Sequence, residues 1–206
     1  MMKLKTFSDN QAQVNTYLLY KNQTAIVIDP GFNGNQIIDF CKQKELNIVS
    51  VLLTHGHFDH IKDIPLLAKE FTFELYISEA DKSFLKNDQY NYASAFGLKF
   101  HLPNLTIIIV KDNQRISIEG ETFKVISTPG HTAGSICFGY NRYLFTGDTL
   151  FFNSIGRTDL HSGNRNDIKK SIELLKTKIS NDTTIYPGHG NFGKLKQIKE
   201  VNPYLK

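Results

Sequence analysis

His55-Gly56-His57-Phe58-Asp59-His60 gathers three imidazoles and a carboxylate within six residues. So many donors so close in the chain cannot all converge on one ion without strain, but they can serve two neighbouring ions. Imidazole suits zinc, iron and nickel, and a carboxylate can bridge two ions or complete a shell. This segment follows the apolar run Val51-Leu52-Leu53-Thr54, and three other segments end in the same way. Val125-Ile126-Ser127-Thr128 runs into Pro129-Gly130-His131, Tyr143-Leu144-Phe145-Thr146 into Gly147-Asp148, and Thr184-Ile185-Tyr186 into Pro187-Gly188-His189. Each time an apolar run stops at a glycine-containing turn that carries a metal-ligand side chain. A lone histidine is ordinarily a surface or satisfied core residue. Here five of the seven histidines stand at these turns, and that concentration overrides the ordinary reading. The candidate ligands are His55, His57, Asp59, His60, His131, Asp148 and His189.

Side chains aimed at a common point need rigid supports, and strand ends are rigid. Glycine lets the backbone bend sharply just beyond them. The pattern predicts strands over Val14–Tyr20, Thr24–Ile28, Ile48–Leu53, Phe73–Ile77, Thr106–Val110, Thr122–Ile126, Ser135–Tyr140, Arg142–Phe145 and Thr184–Tyr186. Helices are expected over 34–45, 63–71, 167–179 with Asn166 as N-cap, and 194–201. The stretch from Glu79 to Leu102 reads as helical at first, then irregular. Many connections are of hairpin length, and the regular β-α-β-α alternation of a doubly wound sheet is missing. Two β-rich stretches, each flanked by helices, predict an α/β fold of two packed sheets covered by helices. No Pro- or Ser-rich linker divides the chain, so residues 1–206 are read as one domain.

The size, 206 residues, allows a substantial core, and 40% hydrophobic with 21% charged residues is ordinary for a soluble globular protein. The net charge of +4 comes from scattered lysines, paired at most as in Lys169-Lys170, not from the dense basic blocks of nucleic-acid tails. The N-terminus lacks the apolar stretch of a signal peptide, and no segment approaches the ~18 apolar residues of a membrane-spanning helix. The expectation is a soluble, cytoplasmic protein with no membrane or nucleic-acid partner. Cys41 and Cys137 read as buried thiols rather than a disulfide or ligands. His101 and His161 have no ligand-type neighbours and read as surface residues. Gly156-Arg157-Thr158-Asp159 could orient a substrate anion or brace the loop after Asp148. Asp29 could support a ligand histidine from behind, but capping the Pro30-Gly31 turn is the safer reading.

His55-Gly56-His57-Phe58-Asp59-His60, Thr128-Pro129-Gly130-His131-Thr132, Gly147-Asp148-Thr149 and Pro187-Gly188-His189-Gly190, in this order and with the early Asp29-Pro30-Gly31, resemble the motifs of the metallo-β-lactamase-fold superfamily. The resemblance runs from about Val14 to Gly190, and the ordered set is far more specific than any one motif. Within the superfamily the chain is similar to the short glyoxalase-II-like (hydroxyacylglutathione hydrolase-like) hydrolases. Gly147-Asp148-Thr149-Leu150-Phe151, continuing to Ile155-Gly156-Arg157-Thr158-Asp159-Leu160, is the best discriminator. In true metallo-β-lactamases a cysteine typically stands where Asp148 stands here, and those enzymes are exported. The resemblance implies an αββα sandwich of two mixed β-sheets. It implies that His55, His57 and His131 hold one metal and Asp59, His60 and His189 a second, with Asp148 bridging. The chain departs from the family in having Ile61-Lys62-Asp63 where a Gly-rich turn usually follows the last histidine. It also ends soon after His189, without the C-terminal helical domain that grips glutathione in larger relatives.

The implied chemistry is metal-assisted hydrolysis of a small-molecule thioester, such as an S-lactoyl thiol. Two divalent ions, zinc first and iron or manganese next, would hold a hydroxide that attacks the carbonyl, and Asp59 would orient it. One metal would take up the developing oxyanion and the other the departing thiolate. No Ser-His or Cys-His signature suggests a protein nucleophile. The same scaffold supports two competitors. A mononuclear-iron persulfide dioxygenase would need only His55, His131 and Asp148, and a phosphodiesterase or nuclease would share the metal motifs.

Overall fold

Alternating and continuous apolar runs become two six-stranded sheets in the computed structural model, which describes residues 1–8 and 13–206. The chain divides into two units, Met1–Ile77 with Lys82–Ile109, and Ser78–Asp81 with Val110–Lys206.

The first unit carries β1 (Lys3–Ser8), β2 (Asn15–Lys21), β3 (Thr24–Ile28), β4 (Asn47–Leu52), β5 (Glu74–Ser78) and β6 (Thr106–Val110), ordered as numbered. β1 to β3 pair antiparallel, whereas β3, β4 and β5 run parallel. Nearly every residue of β3 is buried, as expected of a strand covered on both faces. Parallel strands need a crossover, and α1 (Gly34–Gln43) supplies it between β3 and β4. Its Ile37, Ile38 and Cys41 are buried together, joining Val27, Ile48, Val51 and Leu75 in one apolar cluster. After β4 come two single-turn helices, α2 (Phe58–Ile61) and α3 (Ile64–Leu67). The helix expected over 63–71 is thus a short α-helix. Beyond Leu67 the chain relaxes into turns bonded as Glu70 N–H to Leu67 O and Lys69 N–H to Leu66 O. Lys82–Lys86 and Ala93–Phe96 are 3₁₀ turns.

The second unit carries β7 (Arg115–Ile118), β8 (Glu121–Ser127), β9 (Ile136–Tyr140), β10 (Tyr143–Gly147), β11 (Thr184–Pro187) and β12 (Gly193–Lys194), again ordered as numbered. Only β10 and β11 pair in parallel, and α4 (Arg165–Lys178) makes their crossover. Ile168, Ser171, Ile172 and Leu175 recur at helical spacing on its buried face. Ile168, Ile172 and Leu175 pack with Ile126, Cys137, Leu144 and Ile185 and with α5 (Leu195–Val201) through Leu195 and Ile198. The N-cap of α4 is Asn164 rather than Asn166. Its carboxamide oxygen accepts from Asn166 N and Asp167 N at 2.8 and 3.1 Å, which makes Asn166 the second residue inside the helix.

Three strands escaped the pattern reading: β1, β7 and β12. Cys41 and Cys137 are buried thiols with no disulfide between them, as expected. Burial pushes the Cys41 thiol up to about 11.

Candidate metal centre

In the first unit the apolar β4 delivers the chain to Thr54 and the histidine run. His57 is the extended residue that caps α2, so Asp59 and His60 ride on the first helical turn. His55, His57 and His60 are all buried. The ring centroids of His55 lie 4.8 Å from His57 and 4.2 Å from His60. Buried imidazoles this close offer donors of the kind a metal takes.

Asp29 organises them. It sits at the end of β3 with positive φ, and its carbonyl closes the turn by accepting from Gly31 N. Its carboxylate does something else. It accepts Thr54 N–H at 2.8 Å and Thr54 O–H at 2.6 Å, and its Oδ2 lies 3.0 Å from His60 Nδ1. The preference for a mere turn cap is therefore corrected: backbone and side chain serve different roles. Because the Thr54 hydroxyl spends its one proton on Asp29, its oxygen is left to accept from His55 Nδ1, 3.1 Å away. Both histidines are thereby set with Nδ1 as the donor nitrogen, which leaves Nε2 available to a metal. Gly31 must be glycine, since a Cβ there would stand 1.8 Å from the Asp59 carbonyl oxygen.

The Ile61-Lys62-Asp63 departure also has a local reason. The buried Asp63 accepts Gly34 N–H at 2.7 Å, placing negative charge at the start of α1. Lys62 pairs with Asp63 at 2.8 Å and lies over the Phe32 ring.

In the second unit, β8, β10 and β11 end at His131, Asp148 and His189. Asp148 Oδ2 lies 3.5 Å from His131 Nε2 and 3.5 Å from His189 Nε2. Two donors on one tetrahedral ion at 2.0–2.1 Å stand about 3.4 Å apart. One carboxylate oxygen thus has the spacing to share an ion with each imidazole. The turns are cross-tied. Thr128 and Thr149 hydroxyls meet at 2.9 Å, and Gly188 N–H donates to Gly147 O at 2.8 Å. Gly130, at φ +136°, has no room for a Cβ, which would stand 2.2 Å from Ile168 N.

His131 Nδ1 lies 2.8 Å from the Arg157 carbonyl oxygen, which orients the ring and leaves Nε2 for a metal. Arg157 thus acts on the site through its backbone. Its guanidinium is bound on two nitrogens by Asp159, at 2.8 and 2.7 Å, out in solvent. That partner holds the Asp159 carboxyl down at about 2. Of the two readings of Arg157, loop bracing is the one with geometry behind it. Gly156 lies against the ligands, since a Cβ there would be 1.8 Å from Asp148 O and 3.1 Å from His131 Nδ1. Sequence reasoning missed Asp81. Fully buried, it accepts Thr132 O–H at 2.8 Å and Gly134 N–H at 2.9 Å, locking the turn after His131. No local pattern marks it, for its partners lie some fifty positions away. His101 and His161 are exposed and join neither set of ligands.

Oxygen and imidazole donors, preset tautomers and glycine-lined close approaches are the donor chemistry of a divalent-metal site. The family model described as the metallo-β-lactamase superfamily matches residues 9–189. The chain belongs to the metallo-β-lactamase superfamily. A probable metallo-hydrolase of Streptococcus pyogenes serotype M6 is 34% identical, over 100% of this chain and 91% of its own length. The hydroxyacylglutathione hydrolase GloC of Haemophilus influenzae is 32% identical, over 94% and 93%. The crystal structure of BLEG-1, a B3 metallo-β-lactamase, superposes with a TM-score of 0.93 at 30% identity, covering 99% of this chain and 100% of that one. The two mixed six-stranded sheets with their flanking helices are therefore the αββα sandwich of this superfamily, as expected from the motifs, and the chain is a hydrolase of that superfamily with a His/Asp cluster able to hold metal.

Proposed function

We propose that the two units act as one domain whose seven ligands hold two divalent ions, and that the enzyme hydrolyses a thioester of a small thiol. The observation that carries the reading is the Asp148 carboxylate oxygen equidistant from His131 and His189, the arrangement a bridging ligand requires. His55, His57, Asp59 and His60 in the first unit and His131, Asp148 and His189 in the second support it as donors of the right kind. Zinc is the first expectation, and iron or manganese would accept the same nitrogen and oxygen donors. The thioester rests on the relationship to the Haemophilus hydroxyacylglutathione hydrolase and on the Gly147 to Leu160 segment. Buried thiols that form no disulfide accord with a cytoplasmic enzyme. Among the described residues no helix is long and apolar enough to cross a membrane.

Bound ions of this kind make a water acidic enough to attack near neutral pH and polarise a carbonyl oxygen. The protein's own part is positional. Asp29, Thr54 and the Arg157 carbonyl engage Nδ1 of three imidazoles and leave Nε2 for metal. Asp59 and His189, with side chains 28% and 26% exposed, are the ligands most open to solvent. Asp59 accepts a hydrogen bond from the attacking water and so orients it. Phe84 and Tyr92 stand beside His57, and Phe151 beside His189, giving apolar surface for an acyl group.

The test compares a lactoyl thioester with a persulfide, each with and without oxygen, in the parent protein and in His189→Ala. The reading expects thioester cleavage indifferent to oxygen and largely lost in His189→Ala. Oxygen-dependent persulfide turnover that survives His189→Ala, with no thioester cleavage by the parent, would establish the mononuclear-iron alternative instead.

A further inference from the structure

A second site lies in the second unit, at the end of the strands away from the metal ligands. The strand register aligns Arg115 with Lys124, Lys124 with Gly139, and Gly139 with Leu144, a single row across β7 to β10. This row floors a groove of about 410 Å³ whose far wall includes Lys178 and Ser180 at the end of α4. Asp148 lies four residues beyond Leu144, roughly 13 Å of extended strand, so the groove is separate from the metal centre.

Three features of the groove point to a ligand. First, Arg115 and Lys124 are directly opposed across an antiparallel pair, an arrangement that destabilises a sheet unless something neutralises it. Second, no carboxylate lines the groove, and among the described residues neither these two cations nor Lys178 has an ion-pair partner. Third, the row's third strand carries Gly139, which opens the floor. Glycine inside a strand gives up packing, and it marks a place where another molecule can approach. Its backbone does not demand glycine. Its φ is not positive, and a Cβ would meet nothing nearer than 3.7 Å. Hydroxyls of Thr122, Ser180 and Thr183 and the Asn141 amide add hydrogen-bonding groups, while Tyr143 and Ile179 offer apolar surface. The C-terminal dipole of α4 works against an anion here, and Lys178 in its last turn offsets it.

We infer that this groove binds a phosphorylated small molecule, with Arg115, Lys124 and Lys178 holding the phosphate. The inference stands apart from the thioesterase reading and survives its failure. It is tested on the zinc-loaded protein by ¹H–¹⁵N correlation spectra recorded during titration with inorganic phosphate and with AMP, adenosine serving as the neutral control. Two variants are titrated alongside. Arg115→Ser/Lys124→Ser removes the cations, and Gly139→Val fills the floor with a residue that strands favour. The expected result is saturable shifts at the amides of Lys124, Gly139 and their neighbours with phosphate and AMP but not adenosine. Both variants should weaken binding about tenfold or more, with metal content unchanged. Shifts confined to the His131, Asp148 and His189 turns, or no shifts at millimolar AMP, would overturn the site. So would binding that Gly139→Val leaves intact while the double variant loses it, since that is a diffuse basic surface rather than a formed groove.

Discussion

Asp29 shows how one carboxylate far from the ligands in sequence can govern them. It accepts from Thr54 twice and faces His60 Nδ1, and through the Thr54 hydroxyl it also fixes His55. Asp29→Asn keeps an acceptor for the Thr54 N–H and removes the negative charge facing His60. Partners behind a metal ligand typically contribute about 10–100-fold in affinity, so a drop in metal affinity of that order is expected. Competition against a chelator measures it, and unchanged affinity would remove Asp29 from the site's support. Cys41 supplies a second residue-level prediction, through pH. Its thiol rises from 9.0 to about 11 because burial penalises the thiolate. The neutral form is the one the fold prefers, so its stabilisation is complete below pH 9. It drains away as pH climbs from 9 through 11, because the unfolded chain ionises first. The loss is on the order of 2–3 kcal/mol at the upper end. Urea unfolding at pH 8.5 and near pH 11 should show a larger fall for the parent than for Cys41→Ala.

At the scale of elements, α4 depends on a cap that sequence reading misplaced by two residues. Asn164→Ala removes the acceptor for Asn166 N and Asp167 N and should cost about 1 kcal/mol. Asn166→Ala should cost far less. Chemical denaturation of the pair decides between the two asparagines, and equal losses would contradict the assignment. The error is instructive: Asn164 and Asn166 have the same capping chemistry, and only the buried stripe of Ile168, Ile172 and Leu175 was legible, not the helix's first turn. The four strand ends that carry the proposed ligands were legible as strand ends because each joins a strong apolar run to a glycine turn. β7 was not, since four residues of Arg-Ile-Ser-Ile give too short an alternation, and a two-residue β12 carries no signal. The supports of the site were the least legible part. Thr128 with Thr149, Thr132 with Asp81 and His131 with the Arg157 carbonyl join residues far apart in the chain. Their side chains are common types, or, for Arg157, the contact is made by backbone alone.

For the whole molecule the central claim is that ligands from both units serve two ions, with Asp148 shared between them. Each unit has its own apolar cluster, so each supplies rigid ends to its ligands without the other's help. Neither set alone makes a dinuclear centre. The first has His55, His57, Asp59 and His60, and the second has His131, Asp148 and His189. The most direct test is elemental analysis of the purified parent and of Asp148→Ala, each equilibrated with excess zinc and desalted. The account predicts close to two metal equivalents in the parent, and in Asp148→Ala the loss of at least one equivalent together with turnover. A firm plateau at one equivalent in the parent, or two equivalents retained with normal activity in Asp148→Ala, would contradict it.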